Sequence, residues 1–136
     1  MPRIIAIDYG QKRTGLAATD NLQIIASPLD TIPTVQLRGF LEEYCTTENV
    51  EKIIIGLPYR ADGTLPDFAK EIQDLAQWIK QRFPAIAVEF INERYTSKLA
   101  KQALIQAGVK KKKRREKGSL DRMAAAIMLQ EYLGNL

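Results

Sequence analysis

The segment "VEKIIIGLP", residues 50–58, constrains the fold more than any other part of the chain. Its apolar run is continuous instead of alternating, which is typical of a strand that is buried on both faces. Such a strand lies inside a sheet, pairs in parallel with a neighbour and is covered by helices on both sides. The segment therefore predicts an α/β fold.

The other periodic segments extend this prediction. Short turns join three apolar strands that precede the segment, which predicts an antiparallel meander over residues 3–8, 14–20 and 23–31, the last ended or bulged at Pro28. The later pattern predicts a final strand over 86–92 and helices over 34–48, 66–83, 96–107 and from Gly118 to near Leu133. In the first of these helices the apolar stripe contains Val35, Leu37, Leu41 and Tyr44. We predict one α/β domain over residues 1–136, with a mixed five-stranded sheet, three strands antiparallel and two parallel, and helices on both faces.

Composition excludes several classes of protein. No apolar run is long enough for a membrane span or a signal peptide, which predicts a cytoplasmic protein without membrane association. A single cysteine, Cys45, excludes an internal disulfide and fits a reducing compartment. The chain has no histidine, so a metal site must use oxygen ligands, which favours magnesium or manganese over zinc.

A basic run interrupts the chain between its last two predicted helices. The run "KKKKRREK", residues 110–117, carries seven bases and one acid, so it accounts for more than the whole net charge of +4. Such a local patch indicates a polyanionic partner, here structured RNA or branched DNA. A solvated loop that only aids solubility is the other interpretation.

Three acids fall at positions where a site could form. Asp8 ends the first strand, Glu93 ends the last strand, and Asp121 lies in the first turn of the last predicted helix. Each has an ordinary explanation, namely a turn, an ion pair with Arg94 or a favourable helix dipole. However, ligands of open α/β sheets collect at the carboxyl ends of strands. Position 121 also shares an apolar stripe, where a carboxylate needs a cation or hydrogen bonds, with Ala124, Ala125, Met128 and Tyr132.

Together the acids predict a site for one or two Mg²⁺ or Mn²⁺ ions, because clustered carboxylates repel one another unless a cation joins them. The corresponding chemistry is metal-assisted hydrolysis of a phosphodiester by water, which needs no histidine. Lys12, Arg13 and Arg94 could hold the phosphate or the substrate strand, although solvated turns would also carry such bases.

The motifs as a set resemble those of the YqgF family, also called RuvX, of Holliday junction resolvases and pre-16S rRNA nucleases in the RNase H-like superfamily. The matching segments are "DYGQKRTGLA" at 8–17, "SPLDTI" at 27–32, "IIIGLPYRADGT" at 53–64, "NERYTS" at 92–97 and "SLDRMAAAIMLQEYL" at 119–133. The resemblance implies an RNase H-like fold, catalytic and metal-binding roles for Asp8, Glu93 and Asp121, and trimming of the 5′ end of the 16S rRNA precursor. Arg94 and Thr96 match its third signature and are candidate substrate contacts. The chain departs from the family at Asn92, which is usually Asp, and at Tyr59 and Arg60.

Other functions stay open from the sequence. The same acids would serve a resolvase of four-way DNA junctions, which should act as a symmetric dimer, whereas we expect a monomer or a weak homodimer. The first motif also resembles the phosphate loop of actin-like and sugar-kinase ATPases, but the chain has length for only one of their two domains. A non-catalytic nucleic-acid-binding module would explain only the basic run. We predict that this run clamps substrate beside Asp121 through Lys111, Lys112, Lys113 and Arg114.

Overall fold

The computed structural model describes residues 2–92 and 117–134, with backbone alone for residues 117–121. In chain order its elements are β1 (Arg3–Asp8), β2 (Arg13–Thr19), β3 (Ala26–Pro33), a 3₁₀ turn (Thr34–Gln36), α1 (Leu37–Thr47), β4 (Val50–Leu57), α2 (Ala69–Arg82), β5 (Ala87–Asn92) and α3 (Lys117–Tyr132). The helix predicted over 96–107 and most of the basic run lie outside the described residues. None of the described helices combines the length and apolar composition needed to cross a bilayer.

The five strands form one sheet in the order β3-β2-β1-β4-β5. β2 pairs antiparallel with both β1 and β3, and β4 pairs in parallel with both β1 and β5. The predicted meander followed by two parallel strands is therefore confirmed. Because β1, β4 and β5 run in the same direction, their carboxyl ends lie at one edge of the sheet, which we call the carboxyl edge.

The sheet has a helix layer on each face, as predicted. Ile5 and Ile7 of β1 belong to a core that includes side chains of α1 and α2. Ile4 and Ala6 of the same strand belong to a second core with α3. This division follows from the two-residue period of a strand, which turns successive side chains to opposite faces.

The third strand begins later than the sequence predicted. Asp20 closes a turn, since its Oδ1 accepts the backbone N–H groups of Ile24 at 2.8 Å and Ile25 at 3.0 Å. This turn leaves both isoleucines more than half exposed, although their apolar character favoured a strand. The bulge predicted near Pro28 is present, because the register passes from Asp30 to Pro28 and leaves Leu29 as the extra residue.

Two helical predictions need correction. Val35 is 94% exposed and is not part of the apolar stripe of α1, because residues 34–36 form a 3₁₀ turn before that helix begins. Asp121 is not in the first turn of α3, because the helix already includes Lys117 and Gly118. The favourable helix dipole of a first turn therefore does not explain this acid.

Candidate active site

Asp8 ends the central strand β1 at the carboxyl edge and is half-buried. Strand alternation puts it on the face of Ile4 and Ala6, which is the α3 face. In the neighbouring strand Ile55 pairs with Ile7, so Gly56 lies level with Asp8. Glycine has no side chain, so Gly56 itself places none beside the carboxylate on the α3 face.

The last strand brings a second predicted site residue toward this edge. Asn92 ends β5 and pairs with Leu57 at the end of β4. Glu93 is the next residue in the chain and lies outside the described residues. With strands about 4.8 Å apart, the end of β5 lies two strands, or about 10 Å, from β1. The predicted substrate contacts Arg94, Thr96, Lys111, Lys112, Lys113 and Arg114 also lie outside the described residues.

The Tyr132 end of helix α3 lies near the start of β1. The hydroxyl group of Tyr132, at the end of α3, lies 2.5 Å from Nζ of Lys52, which pairs with Ile4 near the start of β1. From Tyr132 back to position 121 the helix spans eleven residues, or about 16 Å. Asp8 lies four residues after Ile4 in β1, which is about 13 Å along the strand. The two lengths are similar, so α3 extends from that point toward the carboxyl edge, and the Asp121 side chain lies outside the described residues.

The turn between β1 and β2 has a backbone that only glycine fits. A Cβ atom at Gly10 would lie 2.4 Å from the carbonyl oxygen of Arg13. Thr34 holds the same turn from outside, because its hydroxyl group donates to the Gly10 carbonyl at 2.6 Å and its N–H donates to the Lys12 carbonyl at 3.0 Å. The turn is thus fixed beside Asp8, and the side chains of Lys12 and Arg13 are exposed there.

A second contact fixes the turn to α2. The Tyr9 hydroxyl group donates to Oε1 of Glu71 at 2.8 Å, and Nε2 of Gln11 donates to Oε2 of the same carboxylate at 3.3 Å. Burial, together with the hydrogen bond to Glu71, raises the pKa of Tyr9 to about 12, so its hydroxyl group stays a donor at neutral pH. The sequence patterns did not reveal this contact, since the only signal was an acid in the first turn of α2.

The described side chains include one of the three predicted metal ligands, Asp8, and among them no group of three acidic, cysteine or histidine residues converges. The chemistry of the donor nevertheless fits the predicted ions. A carboxylate at a strand end, level with a glycine of the neighbouring strand, offers the oxygen ligand that hard cations such as Mg²⁺ and Mn²⁺ prefer. Asp8 is therefore suited to hold such an ion if further carboxylates reach it.

Comparisons with known proteins identify the family. The model of the RuvX family, described as Holliday junction resolvase, matches residues 2–135. The chain belongs to the RuvX family. Two relatives share the name "Putative pre-16S rRNA nuclease". The one from Flavobacterium psychrophilum is 49% identical over 133 residues, which cover 98% of this chain and 97% of the relative. The one from Bacteroides thetaiotaomicron is 47% identical over 133 residues, which cover 98% and 96%.

A solved structure agrees with the fold of this RuvX chain. The structure of T. thermophilus RuvC in complex with a Holliday junction substrate superimposes with a TM-score of 0.60 at 18% identity, and the match covers 99% of this chain and 98% of RuvC. The predicted RNase H-like fold is confirmed by this likeness. The predicted membership in a nuclease family, whose activity is hydrolysis of phosphodiesters, is confirmed by the family and its relatives.

Proposed function

We propose that this chain is a single-domain, divalent-metal-dependent nuclease that trims the 5′ end of the 16S rRNA precursor in the cytoplasm. The observation that carries the proposal is that Asp8 ends the central strand β1 on the face of the sheet that α3 covers. The names of the relatives, at 47% and 49% identity over nearly the whole chain, support the RNA substrate.

In this proposal Asp8, Glu93 and Asp121 hold one or two Mg²⁺ or Mn²⁺ ions. When bound, such ions lower the pKa of a water molecule and stabilise the leaving oxygen of the phosphodiester. The chain itself supplies ligand geometry, because Asp8 comes from the central strand, which is paired on both sides. Asn92 ends β5 at the same edge as Asp8, and Glu93 is the next residue in the chain. We propose that Glu93 joins Asp8 at this edge.

Substrate contact is assigned to bases around the carboxyl edge. Lys12 and Arg13 are exposed on the fixed β1–β2 turn, where a phosphate approaching Asp8 would pass. Arg94 and Thr96 follow Glu93 in sequence, and the basic run precedes α3, the helix that carries Asp121. In this proposal the bases among these residues contact the phosphates of the substrate.

The basic run can be tested through the salt dependence of binding. Replacing Lys111, Lys112, Lys113 and Arg114 with alanine should weaken RNA binding and reduce the slope of log affinity against log salt by about 0.7–0.9 for each phosphate that the variant no longer neutralises. Filter binding between low and moderate salt measures that slope. A variant with the parent slope would contradict the proposed clamp.

The second candidate function is resolution of four-way DNA junctions, which the description of the family and the likeness to junction-bound RuvC favour. The deciding experiment compares cleavage of an end-labelled 16S precursor fragment with that of a four-way DNA junction, in magnesium and in manganese. Faster cutting of the RNA end supports our proposal, whereas paired symmetric cuts in the junction by a dimer support the alternative. Asp8→Asn and Glu93→Gln are the controls.

Two results would remove the proposed site altogether. Cleavage that survives both acid substitutions would indicate a contaminating nuclease. If the parent protein binds RNA but never cleaves it with either metal, and Asp8→Asn binds equally well, the chain is a nucleic-acid-binding module instead.

A further inference from the structure

We propose that Gln130 and Tyr132 are positioning residues that lock α3 in one register on the sheet and so bring position 121 to Asp8. The functional consequence rests on the proposed nuclease site. Gln130 and Tyr132 bond to strands on opposite sides of the central strand β1. We call these two side chains and their partners Lys52 and Glu89 the α3 lock.

One half of the α3 lock ties the helix to β4 and β5. The Tyr132 hydroxyl group accepts a hydrogen bond from Nζ of Lys52 at 2.5 Å and donates one to Oε2 of Glu89 at 2.8 Å. Lys52 also pairs with Glu89 at 3.3 Å, and its Nζ lies 5.1 Å from the centre of the Tyr132 ring. The hydrogen bond that Lys52 donates to Tyr132 is the first cause of a raised Lys52 pKa, and the bond to Glu89 raises the pKa further.

The other half ties the helix to the opposite side of the sheet. Oε1 of Gln130 accepts the backbone N–H of Ala26, the first residue of β3, at 3.0 Å. Nε2 of the same side chain donates to the carbonyl group of Ile24 at 3.4 Å. Both partners belong to backbone, which cannot follow a sliding helix as a flexible side chain could. Gln130 therefore opposes both the sliding of α3 along its axis and its rotation about that axis.

The buried face of α3 changes in character along the helix. Toward position 121 it consists of residues 124–126, all alanine, the last two of which belong to a cluster with Ala6 and Ala17 of the sheet, and toward Tyr132 it contains the larger Met128 and Leu129. Methyl groups form shallow ridges, so the alanine end restrains the register less than Met128 and Leu129 do. Hydrogen bonds are directional and are lost when the atoms move by about 1 Å. The α3 lock therefore adds directional restraints on the register to the packing of those two large side chains.

The lock acts at a distance because a helix is stiff over three turns. Tyr132 and position 121 lie eleven residues apart on one uninterrupted helix, α3. A shift or rotation at the lock is therefore carried to position 121 with little loss. Asp8 sits on a strand that is paired on both sides, so the lock sets the separation of the two acids from the helix side alone.

The test compares Tyr132→Phe and the double variant Gln130→Leu/Tyr132→Phe with a control, Glu42→Gln. Tyr132→Phe keeps the ring and its packing and removes only the hydroxyl group. The control weakens a surface ion pair of similar length, 3.2 Å to Arg82, between α1 and α2 on the other face of the sheet. Amide NMR shifts of residues 121–126 in metal-free protein report the register of α3, and titration of Mn²⁺ reports the metal affinity without any turnover.

We expect both lock variants to move the amide shifts of residues 121–126 and to raise the Mn²⁺ Kd by about tenfold, the lower end of the cost of removing an orienting contact from a metal site. The kcat should fall by a similar factor while the RNA affinity without metal stays at the parent value. The control should change none of these. Parent-like shifts in the double variant, with activity reduced only by the unfolded fraction, would overturn the proposal.

The design separates this inference from the proposed function. If the amide shifts move but the parent protein binds no Mn²⁺ or binds it equally after Asp8→Asn, the lock holds as a register device and the proposed metal site is wrong. If Mn²⁺ binds through Asp8 and the shifts do not move, the metal site holds and the lock is wrong.

Discussion

The two faces of the sheet differ in the share of small side chains in their cores. On the face of α1 and α2 the core consists mainly of large, fully buried side chains: Ile5, Ile7, Leu16, Leu41, Ile53, Ile55, Ile72 and Ile79. On the α3 face half of the described core is alanine, at positions 6, 17, 125 and 126, and the other half is Ile4, Ile54, Met128 and Leu129. Burial of apolar area scales with side-chain size, so the first face contributes more to the free energy of folding.

The smaller side chains of the α3 face serve a different purpose. They let the helix backbone approach the sheet closely, which the proposed function requires if a carboxylate of α3 is to share an ion with Asp8. In that proposal one face mainly stabilises the domain and the other mainly assembles the site. Substitutions on the two faces should therefore separate stability from activity.

The largest effect should come from Asp8 itself. Asp8→Asn should reduce kcat/KM by about 10³-fold, because it removes a metal ligand and several kcal/mol of transition-state stabilisation. Asp74→Asn, in α2 on the other face, is the matched control and should keep the parent rate. Initial rates on labelled precursor RNA measure both. Equal rates for Asp8→Asn and the parent would show that the α3 face has no part in catalysis.

The next prediction compares one packing change on each face. Leu41→Ala in α1 should cost about 2–5 kcal/mol in the free energy of unfolding, because it leaves a cavity. Ala125→Leu in α3 should cost about 1–3 kcal/mol through overpacking and should push the helix from the sheet. Per folded molecule, Ala125→Leu should lose most of its activity and Leu41→Ala almost none, as measured by denaturant unfolding and rates on the same samples. The reverse order would break the proposed division between the faces.

A smaller effect is expected at the β1–β2 turn, which lies between the two faces. Gly10→Ala places a Cβ atom against the Arg13 carbonyl oxygen and must displace the turn that carries Lys12. The KM for RNA should rise about tenfold, since a misplacement of about 1 Å in a binding group is costly. Steady-state kinetics test this, with Gly39→Ala as a control, because a Cβ atom there meets nothing within 4 Å.

The smallest effect concerns pH and the α2 face. Burial, aided by Glu71, raises the pKa of Tyr9 from 10 to about 12, so the folded state holds this proton more tightly than the unfolded state. The resulting stability is complete below pH 10 and is lost as the pH rises from 10 to 12. The difference in Tm between the parent and Tyr9→Phe should shrink over that range. A constant difference would show that Tyr9 is not held as the structure describes.

Local patterns identified most of the fold and part of the candidate site. The apolar runs of β1, β2 and β4 and the apolar stripe of α2 were sufficient to predict an antiparallel meander, two parallel strands and helices on both faces. The same patterns failed at Ile24, Ile25 and Val35, because apolar residues in a turn or a 3₁₀ segment resemble those of a buried element. Whether such a residue is buried depends on what packs against it, which the local pattern does not contain.

The sequence by itself determined that Asp8 ends an apolar strand, that a glycine lies two residues after it, and that the chain resembles the RuvX family. These features depend on the period of the backbone and on motifs in chain order. Only the tertiary structure decided which polar groups meet across the fold: the side chains of Tyr9 and Glu71, and the Gln130 side chain with the backbone N–H of Ala26, 104 residues away. Many exposed polar groups could have formed either contact, and the choice follows from the level at which α2 and α3 dock on the sheet. That level, set by packing between distant segments, also determines where position 121 lies relative to Asp8.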